Sequence, residues 1–185
     1  MRFELKELQR KLGFTTIFVT HDQSEAMALS DRMLVADMGR IMQIDTPENL
    51  YNRPINRFVH SFLGESTFLR VVIRDGQVYA AGDLEHPLGV TPPPNAAPEM
   101  ILATRPNAID ITGSTGYQTR IETRIFLTDR TEYLIPVGDQ KVKVQTPHRI
   151  AFSEGNSCWI RFVDPMWYPV EDTDEEKERA RRQLI

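Results

Sequence analysis

The sequence predicts an α/β segment over residues 1–64, an all-β small barrel over residues 65–170, and a polar tail over residues 171–185. Three observations carry that reading. A helix-period stretch, "FELKELQRKLG", runs straight into the apolar β-branched stretch "TTIFVT", a helix-then-buried-strand order that belongs to α/β architecture. Beyond Gly64 the chain changes to short strand-like runs separated by turn residues, which indicates an antiparallel barrel or sandwich. The final stretch "EDTDEEKERARRQLI" is charged and has no apolar stripe.

Taken in order, Leu5, Leu8 and Leu12 stand at i, i+3 and i+7 with charges between them, an amphipathic helix closed by Gly13. "TTIFVT" reads as a strand buried on both faces, and His21 follows at its carboxyl end. Asp22 is placed to cap the next helix, with Glu25 three residues on in a capping-box spacing. "RMLVADMGRIMQID" reads as a hairpin turning at Met38-Gly39, and "TPENLYNRP" as a helix with Thr46 as N-cap and Pro47 in its first turn. "NRFVHSFLG" is a further helix ending at Gly64. In the second segment Asp75-Gly76 and Gly138-Asp139 are hairpin signals. "HPLGVTPPPNAAPE" reads as a loop within that segment rather than a linker. In the tail, Glu175 with Arg179 and Glu178 with Arg182 are spaced for i, i+4 pairs, so helix and disorder are both open there.

Composition narrows the function classes. The 185 residues are 41% hydrophobic and 26% charged, enough for a core, and the formal net charge of −4 lacks the basic footprint of a nucleic-acid binder. A small barrel with "CWIRFV" is a possible stacking platform for single strands, but Trp159, Phe162 and Trp167 read as packing residues, so no nucleic-acid partner is expected. The single cysteine, Cys158, provides no intrachain disulfide or thiolate cluster and reads as an inert buried thiol. No run approaches the ~18 apolar residues of a spanning helix, and "MRFELKELQRKLG" has no signal-peptide core, so a cytoplasmic, at most peripheral, chain is expected. His21 is the candidate chemical residue: ligands of open α/β sheets sit beyond the carboxyl ends of the strands, where an imidazole can meet a phosphate oxygen or a water.

The order of "VTHDQSEA", "SDR", "GRI", "TPENLY" and "P-x-N-x-F-V" between Leu5 and Glu65 resembles the last part of the ATP-binding subunit of ATP-binding-cassette (ABC) importers. Residues after Glu65 resemble, more loosely, the accessory oligonucleotide/oligosaccharide-fold-like (TOBE) domain of those subunits, and "LATRPNAIDI" matches its Arg-Pro strand motif at Arg105-Pro106. The resemblance implies a remnant of a P-loop NTPase-type domain over residues 1–64. It implies that His21 is the switch histidine, contacting the γ-phosphate of ATP in the complete domain. It further implies ATP and Mg2+ as cofactors of the complete subunit, a second ATP-binding subunit and transmembrane permease subunits as partners, and attachment to the inner membrane from the cytoplasmic side. The junction "FLGESTFL" is closer to the polyamine and ferric-ion branch than to the sugar branch.

The sequence departs from the family in what it lacks. None of its ten glycines is followed by lysine, so there is no G-x-x-x-x-G-K-[ST] phosphate loop. The glutamine loop, the Ser-Gly-Gly signature and the Asp-Glu pair are missing too. The expectation is the carboxyl-terminal half of an ATPase subunit, inactive as an ATPase by itself. Its residues 1–64 would expose apolar faces, leaving them loosely ordered or covered by self-association. The alternative is a stand-alone regulatory, dimerisation or ligand-binding β-barrel without ATPase function.

Overall fold

The computed structural model describes residues 2–148 and 152–170; the expected tail, with its Glu175–Arg179 and Glu178–Arg182 spacings, lies outside them. The chain divides into two compact units, Met1–Gly64 and Glu65–Ile185.

In the first unit, α1 (Arg2–Leu12) and α2 (Gln23–Leu29) precede the strands β1 (Met33–Asp37) and β2 (Arg40–Asp45), followed by α3 (Pro47–Asn52) and α4 (Arg57–Phe62). Sequence chemistry sets these ends. The Thr46 hydroxyl accepts from Asn49 N–H at 3.3 Å with Pro47 in the first turn of α3, and Asn56 Oδ1 accepts from Val59 N–H at 2.9 Å at the start of α4. The Gln43 side chain bridges the loop between the two helices, accepting from Ile55 N–H at 3.0 Å and donating to Arg53 C=O at 3.2 Å. Val35, Leu50, Phe58, Val59 and Leu63 form a small core.

One expectation fails here. Thr15–Thr20 forms no strand, and it is not buried: Ile17 is 92% and Val19 91% exposed. A parallel-sheet strand is held by its neighbours' amides and carbonyls, and among the described residues of this unit the only ladder is β1 with β2. Local β propensity therefore has nothing to pair with.

The β1–β2 hairpin turns where expected, with an unexpected strain. Asp37 pairs with Arg40 across a two-residue loop, and both loop residues have positive φ, +47° at Met38 and +78° at Gly39. That is the type I′ pattern, in which an unbranched side chain with no local hydrogen-bonding group is disfavoured.

The second unit is β-rich. β3 (Thr67–Arg74), β4 (Gln77–Ala80), β5 (Asp83–Pro87), β6 (Glu99–Thr104) and β13 (Met166–Pro169) make a five-stranded sheet in the order β13-β6-β3-β4-β5. β7 (Ile109–Thr112) and β8 (Tyr117–Arg120) flank β12 (Ser157–Phe162), and β9 (Thr123–Phe126) joins β10 (Thr131–Val137) and β11 (Gln140–Thr146). Each of these pairings is antiparallel. Alternating residues from the three sheets share one core, with Leu69, Val71, Leu102, Ile135, Val142, Val144 and Ile160 fully buried. Truncating any one of these to alanine removes the kind of contact that costs about 2–5 kcal/mol for a leucine or isoleucine. Asp75-Gly76 turns β3 into β4 with both φ positive, as the hairpin signal required. The proline loop belongs to this unit: Leu88 is buried in the core, and a turn closes from Ala96 N–H to Pro93 C=O at 3.2 Å with Asn95 at φ +59°.

The sheets meet at two turns. The turn after β4 and the turn after β10 touch through Asp139 N–H to Ala81 C=O at 2.9 Å. A Cβ on Gly138 would lie 2.0 Å from that same carbonyl oxygen, so only glycine fits. Tyr117 spans the seam: its hydroxyl donates to Asp83 Oδ2 at 2.8 Å and accepts from Gly138 N–H at 3.1 Å. Asp83 also accepts from the amides of Glu85 (3.1 Å) and His86 (3.2 Å) and meets the His86 ring at 3.1 Å. Burial pushes the Asp83 carboxyl up, but these donors outweigh it and hold it below its ordinary value.

Two outcomes follow from this geometry. Tyr117→Phe leaves Gly138 N–H without its acceptor and takes one donor from Asp83, and it lowers the stability of the second unit by about 1–3 kcal/mol in urea unfolding followed by tryptophan fluorescence. Because the folded Asp83 pKa is depressed, its contribution is present above the unfolded carboxylate value and is lost as pH falls through the folded one; Asp83→Asn flattens that part of the acid limb. In the first unit, Met38→Asn relieves the left-handed strain and slows hydrogen exchange of the β1–β2 amides, a gain of about 1 kcal/mol.

Candidate functional site

His21 stands at a bend between the irregular Thr15–Thr20 segment and α2, and three neighbouring side chains fix the backbone around it. Asp22 Oδ1 accepts from Glu25 N–H at 3.0 Å as the N-cap of α2. Asp22 N–H donates to Thr20 Oγ1 at 3.0 Å, and the Thr20 hydroxyl donates in turn to Glu25 Oε2 at 3.4 Å. This differs from the capping box that the spacing suggests. There Glu25 would accept from the Asp22 amide directly, whereas here Thr20 takes that amide and Glu25 holds Thr20. Helix α2 then runs from Ala26 N–H to Asp22 C=O at 3.1 Å.

The imidazole itself is exposed, and among the described residues it makes no hydrogen bond or ion pair. It lies on the lining of a groove of about 1030 Å³ whose walls include Leu8 of α1, Phe14, Phe18 of the Thr15–Thr20 segment, and Arg32 before β1. α1 is held to α2 by Lys6 Nζ donating to Ala28 C=O at 3.2 Å. A histidine with a fixed backbone and an open ring can donate to or accept from an incoming anion or water at either nitrogen. Among the described residues no group of three or more His, Cys, Asp or Glu is placed to hold a metal ion, and no helix is long and apolar enough to cross a membrane.

The other residues singled out by sequence lie in the second unit. Arg105 is buried, 5% exposed, and its Nη1 donates to Ser66 Oγ at 2.6 Å and to Glu65 C=O at 3.4 Å, so the Arg-Pro motif secures the start of the β-rich unit. Cys158 and Phe162 are buried in the core and Trp167 packs against it, while Trp159 is half-buried. Burial pushes the Cys158 thiol up, which keeps it a poor nucleophile. Two polar clusters escaped sequence reasoning: Asp83 with His86 and Tyr117, and Glu65 with Glu132, Lys143 and Gln145. In each, residues far apart in sequence are brought together by sheet pairing, and no local pattern announces them.

No family model matches the chain. Comparison with known proteins finds strong relatives. The chain is 35% identical over 175 residues to the spermidine/putrescine import ATP-binding protein PotA of Pseudomonas fluorescens, a match covering 88% of the chain and 47% of the relative. It is 33% identical over 167 residues to the sulfate/thiosulfate import ATP-binding protein CysA of Mesorhizobium japonicum, covering 84% of the chain and 47% of that relative. It is 51% identical over 75 residues to PotA of Aster yellows witches'-broom phytoplasma, covering 40% of the chain. The chain spans about half the length of the first two. These relatives are ATP-binding subunits of ABC importers, and the chain is their homologue, matching as a carboxyl-terminal half does.

If the Thr20–Asp22–Glu25 ring sets the backbone at His21, Asp22→Ala loosens α2 by about 1 kcal/mol, seen as faster exchange of the amides over residues 23–29. His21→Ala leaves that exchange unchanged, because its ring takes no part in the cap.

Proposed function

We propose, with that homology as premise, that the chain is the carboxyl-terminal part of the ATP-binding subunit of an ABC importer. In this reading residues 1–64 are the end of the nucleotide-binding domain from the switch-histidine loop onward. Residues 65–170 are the TOBE-type regulatory barrel, its three sheets closing around one core, and residues 171–185 a polar tail. The observation that carries the proposal is the match to importer ATP-binding subunits over 88% of the chain. Supporting it, among the described residues thirteen of the seventeen exposed large hydrophobics belong to residues 5–62, the distribution expected of a subdomain that shares its core with more chain than these 64 residues supply.

Within that reading His21 is the switch histidine. ATP with Mg2+ is the cofactor of the complete subunit, where it supplies the phosphoanhydride bond and the metal charge. No phosphate loop occurs in the sequence, so this chain by itself is proposed not to hold it. His21 contributes a single donor, held in place by its neighbours and open to a terminal phosphate oxygen. By itself the chain is proposed to be inactive as an ATPase. Its partners are a second ATP-binding subunit and a pair of permease subunits at the cytoplasmic face of the inner membrane. The transported solute is assigned to the polyamine and iron-like branch, on the junction "FLGESTFL" and the spermidine/putrescine import role of the PotA relatives.

The test is ATP hydrolysis by the chain alone and by a chimera joining it to the amino-terminal half of the Pseudomonas fluorescens relative. Turnover is expected only in the chimera, and His21→Ala reduces it about a hundredfold, the scale on which loss of positioning acts. Turnover by the chain alone, or a chimera indifferent to His21→Ala, overturns the assignment.

A further inference from the structure

β9 lies at the edge of its sheet, with β10 on one side. Leu127 N–H donates to Arg130 C=O at 2.9 Å, and Ile125 stands opposite Glu132 two residues along. Antiparallel ladders alternate, so the backbone groups of Ile125 and Leu127 point toward β10 while those of Arg124 and Phe126 point to the open side. That side is guarded at one point. The β8–β12 ladder continues as Ile121 N–H to Asn156 C=O at 3.0 Å and Gly155 N–H to Ile121 C=O at 2.9 Å, and then the Glu154 carboxylate takes over, accepting from Arg124 N–H at 2.7 Å. A side chain stands where the next residue of a strand would. Among the described residues, Arg124 C=O and the backbone of Phe126 have no partner beyond it.

Arg124, Ile125 and Phe126 are all exposed, Ile125 by 51% and Phe126 by 64%. Consecutive strand residues point to opposite faces, so both faces of β9 are open here as well as its edge. Phe126 is nevertheless held in place. Its ring stacks on His148 at 4.3 Å, and that imidazole donates from Nε2 to Thr128 C=O and meets Thr131 Oγ1 at Nδ1, each at 3.2 Å. A fixed apolar strand end with a free edge is a template for a further strand.

We infer that this edge is a self-pairing site, at which β9 adds antiparallel to β9 of a second copy, and that Glu154 is the plug that closes it. The outward groups select one register. With Arg124 opposite Phe126 of the second copy, and the reverse, each such pair exchanges both backbone hydrogen bonds and Ile125 meets its own counterpart on the two-fold axis. One face then joins isoleucine to isoleucine, and the other sets each guanidinium against a phenyl ring, with no like charges directly opposite. Arg124 N–H cannot serve Glu154 and a second strand together, so pairing requires the plug to swing out. The contact is small beside the ~1,200 Å² that stable complexes bury, so the pairing is weak and reversible. The inference does not rest on the transporter reading, because it uses only residues of the second unit.

Covalent trapping in the full 185-residue chain tests it. On the axis, Ile125 occupies a non-hydrogen-bonded pair, where the β-carbons come close enough for a disulfide. Ile125→Cys, treated with oxidised glutathione, forms covalent dimer about tenfold faster than Leu84→Cys, an exposed position on β5. The unsubstituted chain, whose one thiol is buried, forms none. Added to Ile125→Cys, Glu154→Ala speeds trapping about fivefold, Glu154→Gln keeps an acceptor oxygen and leaves the rate unchanged, and Phe126→Ser slows it about tenfold. Tryptophan fluorescence stays native throughout, since every substituted side chain is exposed. Equal rates at Ile125→Cys and Leu84→Cys overturn the inference. So does a rate that ignores both Glu154→Ala and Phe126→Ser, as association through Thr15–Thr20 would give.

Discussion

Gln140 closes the seam on which the β-rich unit depends. Its side-chain amide accepts from Arg70 N–H at 2.8 Å and donates to Arg70 C=O at 3.0 Å, doing for one residue of β3 what a neighbouring strand would do. Ala81 N–H donates to the same Arg70 carbonyl at 3.0 Å, and Asp139, beside Gln140, donates to Ala81. One side chain and two turns therefore satisfy a stretch of backbone where two ladders would otherwise end in unpaired groups. Tyr117, Asp83 and the close approach at Gly138 build on that junction, and the shared core behind it is filled from all three sheets.

How far the sequence foretold this depends on the range of each interaction. Caps and turns are local, and they were legible: Thr46 and Pro47 at α3, Asp22 at α2, Met38-Gly39 and Asp75-Gly76 at their hairpins. The β-rich character after Gly64 was legible from turn spacing. The sheet order was not, because antiparallel strands joined by short loops can be stacked in many ways with the same alternation. Nor were Gln140, Tyr117 and Lys143, whose partners lie 70, 34 and 78 residues away. At the candidate site, resemblance singled out His21, while the Thr20 hydroxyl that takes the Asp22 amide was hidden by an equally plausible capping box.

The two units follow different rules. In the second, the described strands are paired in ladders and share one buried core. The first has sound helix caps and a formed hairpin around a five-residue core, with leucines of α1 and isoleucines of β2 left in solvent. Local signals are satisfied there and the tertiary ones are not. That is how a segment can carry correct helix ends and a misplaced strand at once: caps need only the next turn of chain, and a strand needs neighbours.

The same want of neighbours has a colloidal consequence. Thr15–Thr20 is six residues long, rich in β-branched and aromatic side chains, and free of charge and proline. With Ile17 and Val19 almost wholly in solvent, it meets the compositional description of a steric-zipper segment. Asp22 on one side and Lys11 on the other are its gatekeepers. The solubility of the chain at high concentration is therefore governed by these few charges rather than by its overall net charge, and it falls as salt screens them.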